Sequence, residues 1–518
     1  MSNSILRRDL FRTTGTLAAL AAGAAGNAAP KEPGENPYQS IGVRPLINCK
    51  GTYTIISGSQ SLPEVKRAME EASRHYVEMD ELMEAVGKRL AQLTGAEWGI
   101  VTAGCAAAMT HTTSACLAGT DPEKMQRLPN LQGMRSEVII PAYSRNVYDH
   151  AIRMLGVTIV EVSDPGKLES AFNDRTALVY ILAGPGDDGP LGTQAVSNVA
   201  RRRNVPVLVD AAAEMLTIPN LHLQRGATLV AYSGGKCLRG PQAAGLLLGD
   251  KNLVQAAWAN SAPHHAFGRS LKVGKEEIVG MLTAVEMWTR RDHKREWAEW
   301  ESWLSRISEK VKTIDGVTTR VEQPDSLSNH APTLHIEWDG ERLGVTGREL
   351  ARHLLDTEPR VILAGSTGTR PHAMKSSVGV MPYMMMPGDD KIAADRLYAA
   401  LKNPPKFEVP PEPSGAPVNI AGVWDVEVDY RRGSARHSLS LEQNGTALIG
   451  MHRGEYLSGD LQGSVAGDRV QFRTAHRIEG TELSYNFSGQ AAGDGMSGTV
   501  ALGEYGEARW SAKRHKYA

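Results

Sequence analysis

Between residues 62 and 263 the chain alternates short strand-like apolar runs with helical stretches, and this alternation is what most restricts its fold. Glu137-Val138-Ile139-Ile140, Val157-Thr158-Ile159-Val160 and Ala177-Leu178-Val179-Tyr180-Ile181-Leu182 are such runs. Strands separated by helices predict an α/β domain: a mainly parallel sheet covered by helices on both faces, with its site at the carboxyl ends of the strands. Leu62-Pro63-Glu64-Val65 opens a helix with proline in its first turn, and residues 36–61 precede it as an N-terminal arm. A long helix over residues 275–311 is expected to lead into a smaller α+β domain. That domain has a strand at Thr333-Leu334-His335-Ile336-Glu337-Trp338 and a closing helix over residues 390–401.

The pattern then changes. Residues 404–417 are proline-rich and read as a stiff linker. From Ala421-Gly422-Val423-Trp424-Asp425-Val426-Glu427-Val428 to Trp510, short alternating strands are separated by glycine turns, which predicts a small antiparallel β-barrel or sandwich. Gly422-x-Trp424 resembles the opening of lipocalin-like barrels. The expected division is therefore a leader (1–29), a large domain with its arm (37–274), a linking helix and small domain (275–403), the linker (404–417) and a β domain (418–518).

Within the large domain, Tyr232-Ser233-Gly234-Gly235-Lys236-Cys237-Leu238-Arg239-Gly240-Pro241-Gln242 lies between two apolar strands. A lysine there is either in a surface hairpin turn or a desolvated amine, and desolvation lowers an amine's pKa and makes it a Schiff-base nucleophile. Pro206-Val207-Leu208-Val209-Asp210 is an apolar strand ending in an acid, one strand before Lys236. Asp210 can serve as a helix cap or turn residue, or as the carboxylate that keeps a pyridine nitrogen protonated in a pyridoxal phosphate (PLP) enzyme. Glu97-Trp98-Gly99-Ile100-Val101-Thr102 runs into Ala103-Gly104-Cys105-Ala106-Ala107-Ala108-Met109, a small-residue helix start of the kind that binds phosphate. The Ser233 hydroxyl is placed to add to it.

These stretches carry a family resemblance over roughly residues 37–405. The chain resembles fold-type I PLP enzymes of the branch holding selenocysteine synthase and D-glucosaminate-6-phosphate ammonia lyase, with more likeness to the ammonia-lyase side. The matching wording is Ile47-Asn48-Cys49-Lys50-Gly51-Thr52, Thr102-Ala103-Gly104-Cys105-Ala106-Ala107, Arg145-Asn146-Val147-Tyr148-Asp149-His150, Val209-Asp210-Ala211-Ala212-Ala213-Glu214, Tyr232-Ser233-Gly234-Gly235-Lys236 and Gly268-Arg269-Ser270-Leu271-Lys272-Val273-Gly274-Lys275-Glu276-Glu277. The resemblance implies that Lys236 carries the cofactor, that Asp210 pairs with the pyridinium, and that Gly104, Cys105, Ala106 and Ser233 hold the phosphate. The segment from Arg145 to His150 falls where such enzymes often cover the ring, without saying which side chain does so. It further implies a homodimer or higher homo-oligomer acting on an amino acid or amino sugar acid by Cα deprotonation and α,β-elimination. β-Replacement, racemisation, transamination and aldol cleavage use the same machinery, and a non-catalytic binding protein on a PLP scaffold is the rival outside enzymology.

A substrate carboxylate calls for an arginine fork, and Arg269, Arg360 and Arg370 are the candidates, Arg269 favoured by its motif. His264-His265 is read as a loop beside the site rather than a metal pair, and Met384-Met385-Met386 as packing. Ser233-x-x-Lys236 also matches the nucleophile motif of penicillin-binding hydrolases, but Gly234-Gly235 disfavours the helix start that motif needs and neither partner motif follows. With 57 basic and 58 acidic residues, the charge balance gives no case for a general nucleic-acid binder.

Leu6-Arg7-Arg8-Asp9-Leu10-Phe11-Arg12, then Thr16-Leu17-Ala18-Ala19-Leu20-Ala21-Ala22, reads as a twin-arginine export signal cleaved among residues 24–29. Its apolar run is too short for a membrane span, so a soluble periplasmic or exported protein carried by the twin-arginine machinery is expected. Cys49, Cys105, Cys116 and Cys237 match no zinc spacing and are expected as buried free thiols.

Overall fold

The computed structural model describes residues 36–184, 186–370, 373–407 and 416–516. The stretch read as an export signal and most of the proline-rich linker lie outside the described residues. The arm carries the short strand β1 (Ile47–Cys49). The large sheet follows, from β2 (Trp98–Thr102), β3 (Glu137–Pro141), β4 (Thr158–Val162), β5 (Thr176–Leu182), β6 (Val207–Asp210), β7 (Leu229–Ser233) and β8 (Gly245–Gly249). Their order is β2-β8-β7-β6-β5-β3-β4, with β8 antiparallel to both its neighbours and the other pairings parallel. The apolar runs are continuous because helices cover both faces: Ala177, Leu178, Val179, Tyr180 and Ile181 of β5 are all fully buried.

The expected linking helix is two helices, Lys275–Arg290 and His293–Val311. The break has a local cause. Asp292 takes a non-helical conformation and its carboxylate caps the Arg295 amide, so a new helix starts where the old one would have continued. The small domain adds β9 (Thr318–Glu322), β10 (Thr333–Trp338), β11 (Val361–Leu363), β12 (Gly365–Thr367) and β13 (Ser376–Val380). Four of these form an antiparallel sheet, β12-β13-β10-β9, while β11 pairs in parallel with β1 and so ties the arm to this domain. Its closing helix is Asp389–Lys402, and its core gathers Leu304, Ile307, Leu334, Ile336, Leu350 and Leu397.

The C-terminal region is a closed antiparallel barrel of β14 (Gly422–Asp429), β15 (Ser434–Asn444), β16 (Ala447–Arg453), β17 (Ser458–Ala466), β18 (Arg469–Ile478), β19 (Thr481–Ala492), β20 (Gly495–Ala501) and β21 (Glu507–Arg514). Of the two expected architectures it is the barrel, because β21 returns to pair with β14 and leaves no open edge. Alternation sends Val470, Phe472, Thr474 and His476 of β18 inward and the residues between them outward. Among the described residues no helix is long and apolar enough to cross a membrane.

Candidate active site

Strands β5, β6 and β7 are parallel neighbours, so their carboxyl ends open on one edge of the sheet. Asp210 is the last residue of β6, paired in register with Ala231 of β7, and Ser233 ends β7 just before the Lys236 turn. Asp210 is 2% exposed. Its Oδ2 accepts from the Tyr180 hydroxyl at 2.9 Å, and its Oδ1 accepts from the Cys105 thiol at 3.3 Å and the Ala212 amide at 3.1 Å. Burial, then the adjacent carboxylate, pushes both the Tyr180 hydroxyl and the Cys105 thiol well above their ordinary pKa, so both keep their protons and donate. Behind Tyr180, the Asn146 carboxamide donates to the Tyr180 oxygen at 2.9 Å and to the Ser144 carbonyl at 2.7 Å.

Cys105 belongs to the first turn of the helix Gly104–Ala118, which follows β2 directly. Ala103 provides no side-chain cap, so the first amides of that helix are left for another partner. β8 lies hard against this turn: a Cβ on Gly245 would sit 2.4 Å from the Gly104 carbonyl carbon, so only glycine fits there. Ser233 is half-buried and its hydroxyl has no hydrogen-bond partner among the described residues.

Lys236 is half-buried, and its Nζ makes no hydrogen bond or ion pair among the described residues. Its charge is felt at both Cys105 and Cys237, where it opposes the rise that burial imposes on those thiols. The turn itself is pinned from both sides. Gly234 donates to the Ala244 carbonyl, Cys237 donates its thiol proton to the Glu214 carbonyl, and Arg291 at the helix break donates to the Cys237 carbonyl at 2.9 Å. An amine left unpaired inside so constrained a turn is poised for a partner the protein does not supply.

The other candidates sit as follows. Arg145 is nearly buried (its side chain is 6% exposed) and its guanidinium is engaged by Asp149, Glu161 and Glu479, so it fixes its own segment instead of offering a free cation. His150 is exposed at the start of the helix His150–Arg153. Arg360 donates to the carbonyls of Leu355 and Arg44, and Arg370 pairs with Glu349 and the Gly344 carbonyl. Arg269 is exposed, and its side chain has no partner among the described residues. His264 faces the Trp258 carbonyl and Asp80, and among the described residues no cluster of His, Cys, Asp and Glu is placed to hold a metal ion. Met384 and Met385 are buried, and all four cysteines are free.

Sequence reasoning missed Tyr180 and the role of Asn146. The available signal was a tyrosine in the middle of an otherwise aliphatic strand, where a buried hydroxyl must find an acceptor. It also missed that Glu214 meets His222, and Asp187 meets His222 and Arg225, along the lining of a cavity of about 340 Å³.

These residues fit PLP. A free amine, a buried carboxylate with its donors already arranged, and an uncapped helix start beside a glycine that admits no side chain would take its aldehyde, ring nitrogen and phosphate.

No family model matches the chain. It is 30% identical over 332 residues to D-glucosaminate-6-phosphate ammonia lyase of Salmonella typhimurium, covering 62% of this chain and 86% of that protein. It is 33% identical over 302 residues to 5'-C-glycyluridine monooxygenase-decarboxylase of a Streptomyces species, covering 56% and 74%. The solved structure of a D-glucosaminate-6-phosphate ammonia-lyase superposes with a TM-score of 0.63 at 26% identity, covering 71% of this chain and 99% of that one. With a fold, a site and a likeness that span most of each relative, the chain belongs to the fold-type I, PLP-dependent enzyme family that includes D-glucosaminate-6-phosphate ammonia lyase.

Proposed function

We propose that the protein is a PLP-dependent lyase that takes an amino acid or amino sugar acid to a 2-oxo acid and ammonia. The observation that carries this reading is the buried Asp210 with its three donors beside an unpartnered Lys236, in a chain similar to a named ammonia lyase. PLP, when bound, supplies a ring that draws electrons from the substrate's Cα. Asp210 holds the proton on the ring nitrogen, kept in place by Tyr180 and Cys105. The amides of Gly104, Cys105 and Ala106, with the Ser233 hydroxyl, take the phosphate. Arg269 takes the substrate's carboxylate, since Arg360 and Arg370 are already committed within the small domain. Lys236, with Nζ free, would remove the Cα proton. The substituent on Cβ then leaves with its bonding pair, and water converts the unsaturated amine to the oxo acid and ammonia.

Likeness to a monooxygenase-decarboxylase keeps other PLP chemistry at this same site as the second reading. The purified protein is expected to show the visible absorbance of lysine-bound PLP, lost in Lys236→Ala. A colourless protein that takes up no PLP would sink the proposal. Ammonia and oxo-acid release from a panel of amino acids and amino sugar acids then separates elimination from the alternatives.

Export by the twin-arginine route and assembly into a homo-oligomer complete the proposal. The first draws on the Arg7-Arg8 leader and is checked by cell fractionation. The second draws on the exposed apolar arm residues Tyr38, Ile41, Val43, Tyr53 and Ile55, and is checked by sedimentation.

A further inference from the structure

The barrel touches the large domain through a hairpin tip of two residues. Ile478 of β18 pairs with Thr481 of β19, so Glu479 and Gly480 form the turn between them. Glu479 has φ +51°, in the left-handed region where such turns ordinarily place glycine. A glutamate held there has a reason to be a glutamate, and its carboxylate pairs with Arg145 and stands 3.9 Å from Arg153. Gly480 approaches closer still. A Cβ on it would lie 2.0 Å from the Asn146 carbonyl oxygen, 2.4 Å from its carbonyl carbon and 2.6 Å from its amide nitrogen. All three are backbone atoms, so any side chain at position 480 must displace the Arg145-Asn146 segment.

That segment leads into the active site. The Asn146 side chain donates to the Tyr180 oxygen and the Tyr180 hydroxyl donates to Asp210, so two hydrogen bonds separate the residue under the barrel tip from the buried carboxylate. Arg145 is anchored on the other side by Asp149 and Glu161, which leaves the Glu479 pair as the barrel's grip on an otherwise internally braced loop.

We propose that Glu479 and Gly480 are positioning residues for the cofactor site, the barrel tip setting the Arg145-Asn146 segment and, through Tyr180, the orientation of Asp210. The proposal rests on the reading of Asp210 as the ring-nitrogen partner. It gives the C-terminal barrel a role at the cofactor site.

The test uses the full-length protein and three substitutions, Glu479→Gly, Glu479→Asp and Gly480→Val, with Glu504→Gln as an exposed barrel control. PLP affinity is measured by titrating the apoprotein, and the absorbance of lysine-bound PLP is followed against pH. Glu479→Gly is the discriminating variant, because glycine suits the turn and preserves the barrel while removing the grip on Arg145. Glu479→Gly and Gly480→Val are expected to weaken PLP binding by about tenfold, the scale of one charge-assisted hydrogen bond, and to shift the pH midpoint of the absorbance. Glu479→Asp should recover part of both, and Glu504→Gln should match the wild type. Binding and pH midpoints unchanged in Glu479→Gly and Gly480→Val, with a wild type that binds PLP, would overturn this inference alone. A wild type that binds no PLP would overturn it together with the reading on which it rests.

Discussion

The large sheet and the barrel bury polar groups in opposite ways. In the sheet, parallel strands end together, and Tyr180, Cys105 and the Ala212 amide converge on one acceptor, Asp210. Each of these three donors has an acid to meet. In the barrel, His437 Nδ1 lies 2.9 Å from His452 Nε2, and His452 Nδ1 lies 2.9 Å from His476 Nε2, a chain of three buried imidazoles with no carboxylate in it. Each link needs one proton and one lone pair, so both links are made when the members are neutral, and His476 Nδ1 at the end of the chain has no partner among the described residues. One arrangement concentrates charge at an opening and can bind something charged. The other excludes charge and is structural. The difference follows from topology, because parallel strands leave their carboxyl ends free, whereas a closed antiparallel barrel turns its interior into core.

Three experiments would break or sharpen this contrast. The largest effect belongs to Asp210→Asn, expected to lower turnover by roughly a thousandfold, the scale on which positioned acid–base groups act, while leaving the barrel's melting unchanged. Steady-state kinetics read the site, and denaturant melts of the variant against the wild type read the fold. An active Asp210→Asn protein would mean that the converging donors serve packing alone.

Acid should act in the opposite direction, on the barrel. Burial first, and then the neighbouring His437 and His476, push His452 down from 6.5 to about 3. A group whose pKa is depressed on folding contributes stability that is intact above its unfolded value and is lost as pH falls through the folded one. Barrel stability is therefore expected to decline between pH 6.5 and about 3, by on the order of 2 kcal/mol since the coupled imidazoles share the added proton. Denaturant melts at pH 7 and pH 4 measure it, and His452→Phe should flatten the dependence. His111 in the large domain, buried and pushed down to about 4, loses stability over the same range, so the barrel's share is the part that His452→Phe removes.

The smallest effect is Tyr180→Phe, which removes one of three donors to Asp210. PLP affinity should fall by about tenfold with the fold intact, the value of one hydrogen bond to a charged group. A loss as great as that of Asp210→Asn would place Tyr180 in contact with substrate or cofactor.

Much of this was legible beforehand. Continuous apolar runs reveal a two-sided sheet because both faces are covered, and strict alternation after residue 417 reveals a one-sided wall because half of each strand meets water. The order of the Gly104 helix start, Asp210 and Lys236, each at a strand end, pointed to the candidate site because the ends of parallel strands are where such a sheet opens. The helix break at Arg291-Asp292 was hidden, since its cause is one capping carboxylate within a run that otherwise reads as helix. Which side chain of the Arg145 to His150 segment does what was not legible, because the three acid partners of Arg145 come from its own segment, from β4 and from the barrel.

By itself, then, the sequence determined the two architectures and the chemical kinds at the site, since periodicity and residue type are local properties. The tertiary structure alone decided which groups meet. Tyr180 reaches Asp210 across 30 positions, Cys105 across 105, and Glu479 reaches Arg145 across 334, and no local pattern records a contact made when distant strand ends and a barrel tip pack together.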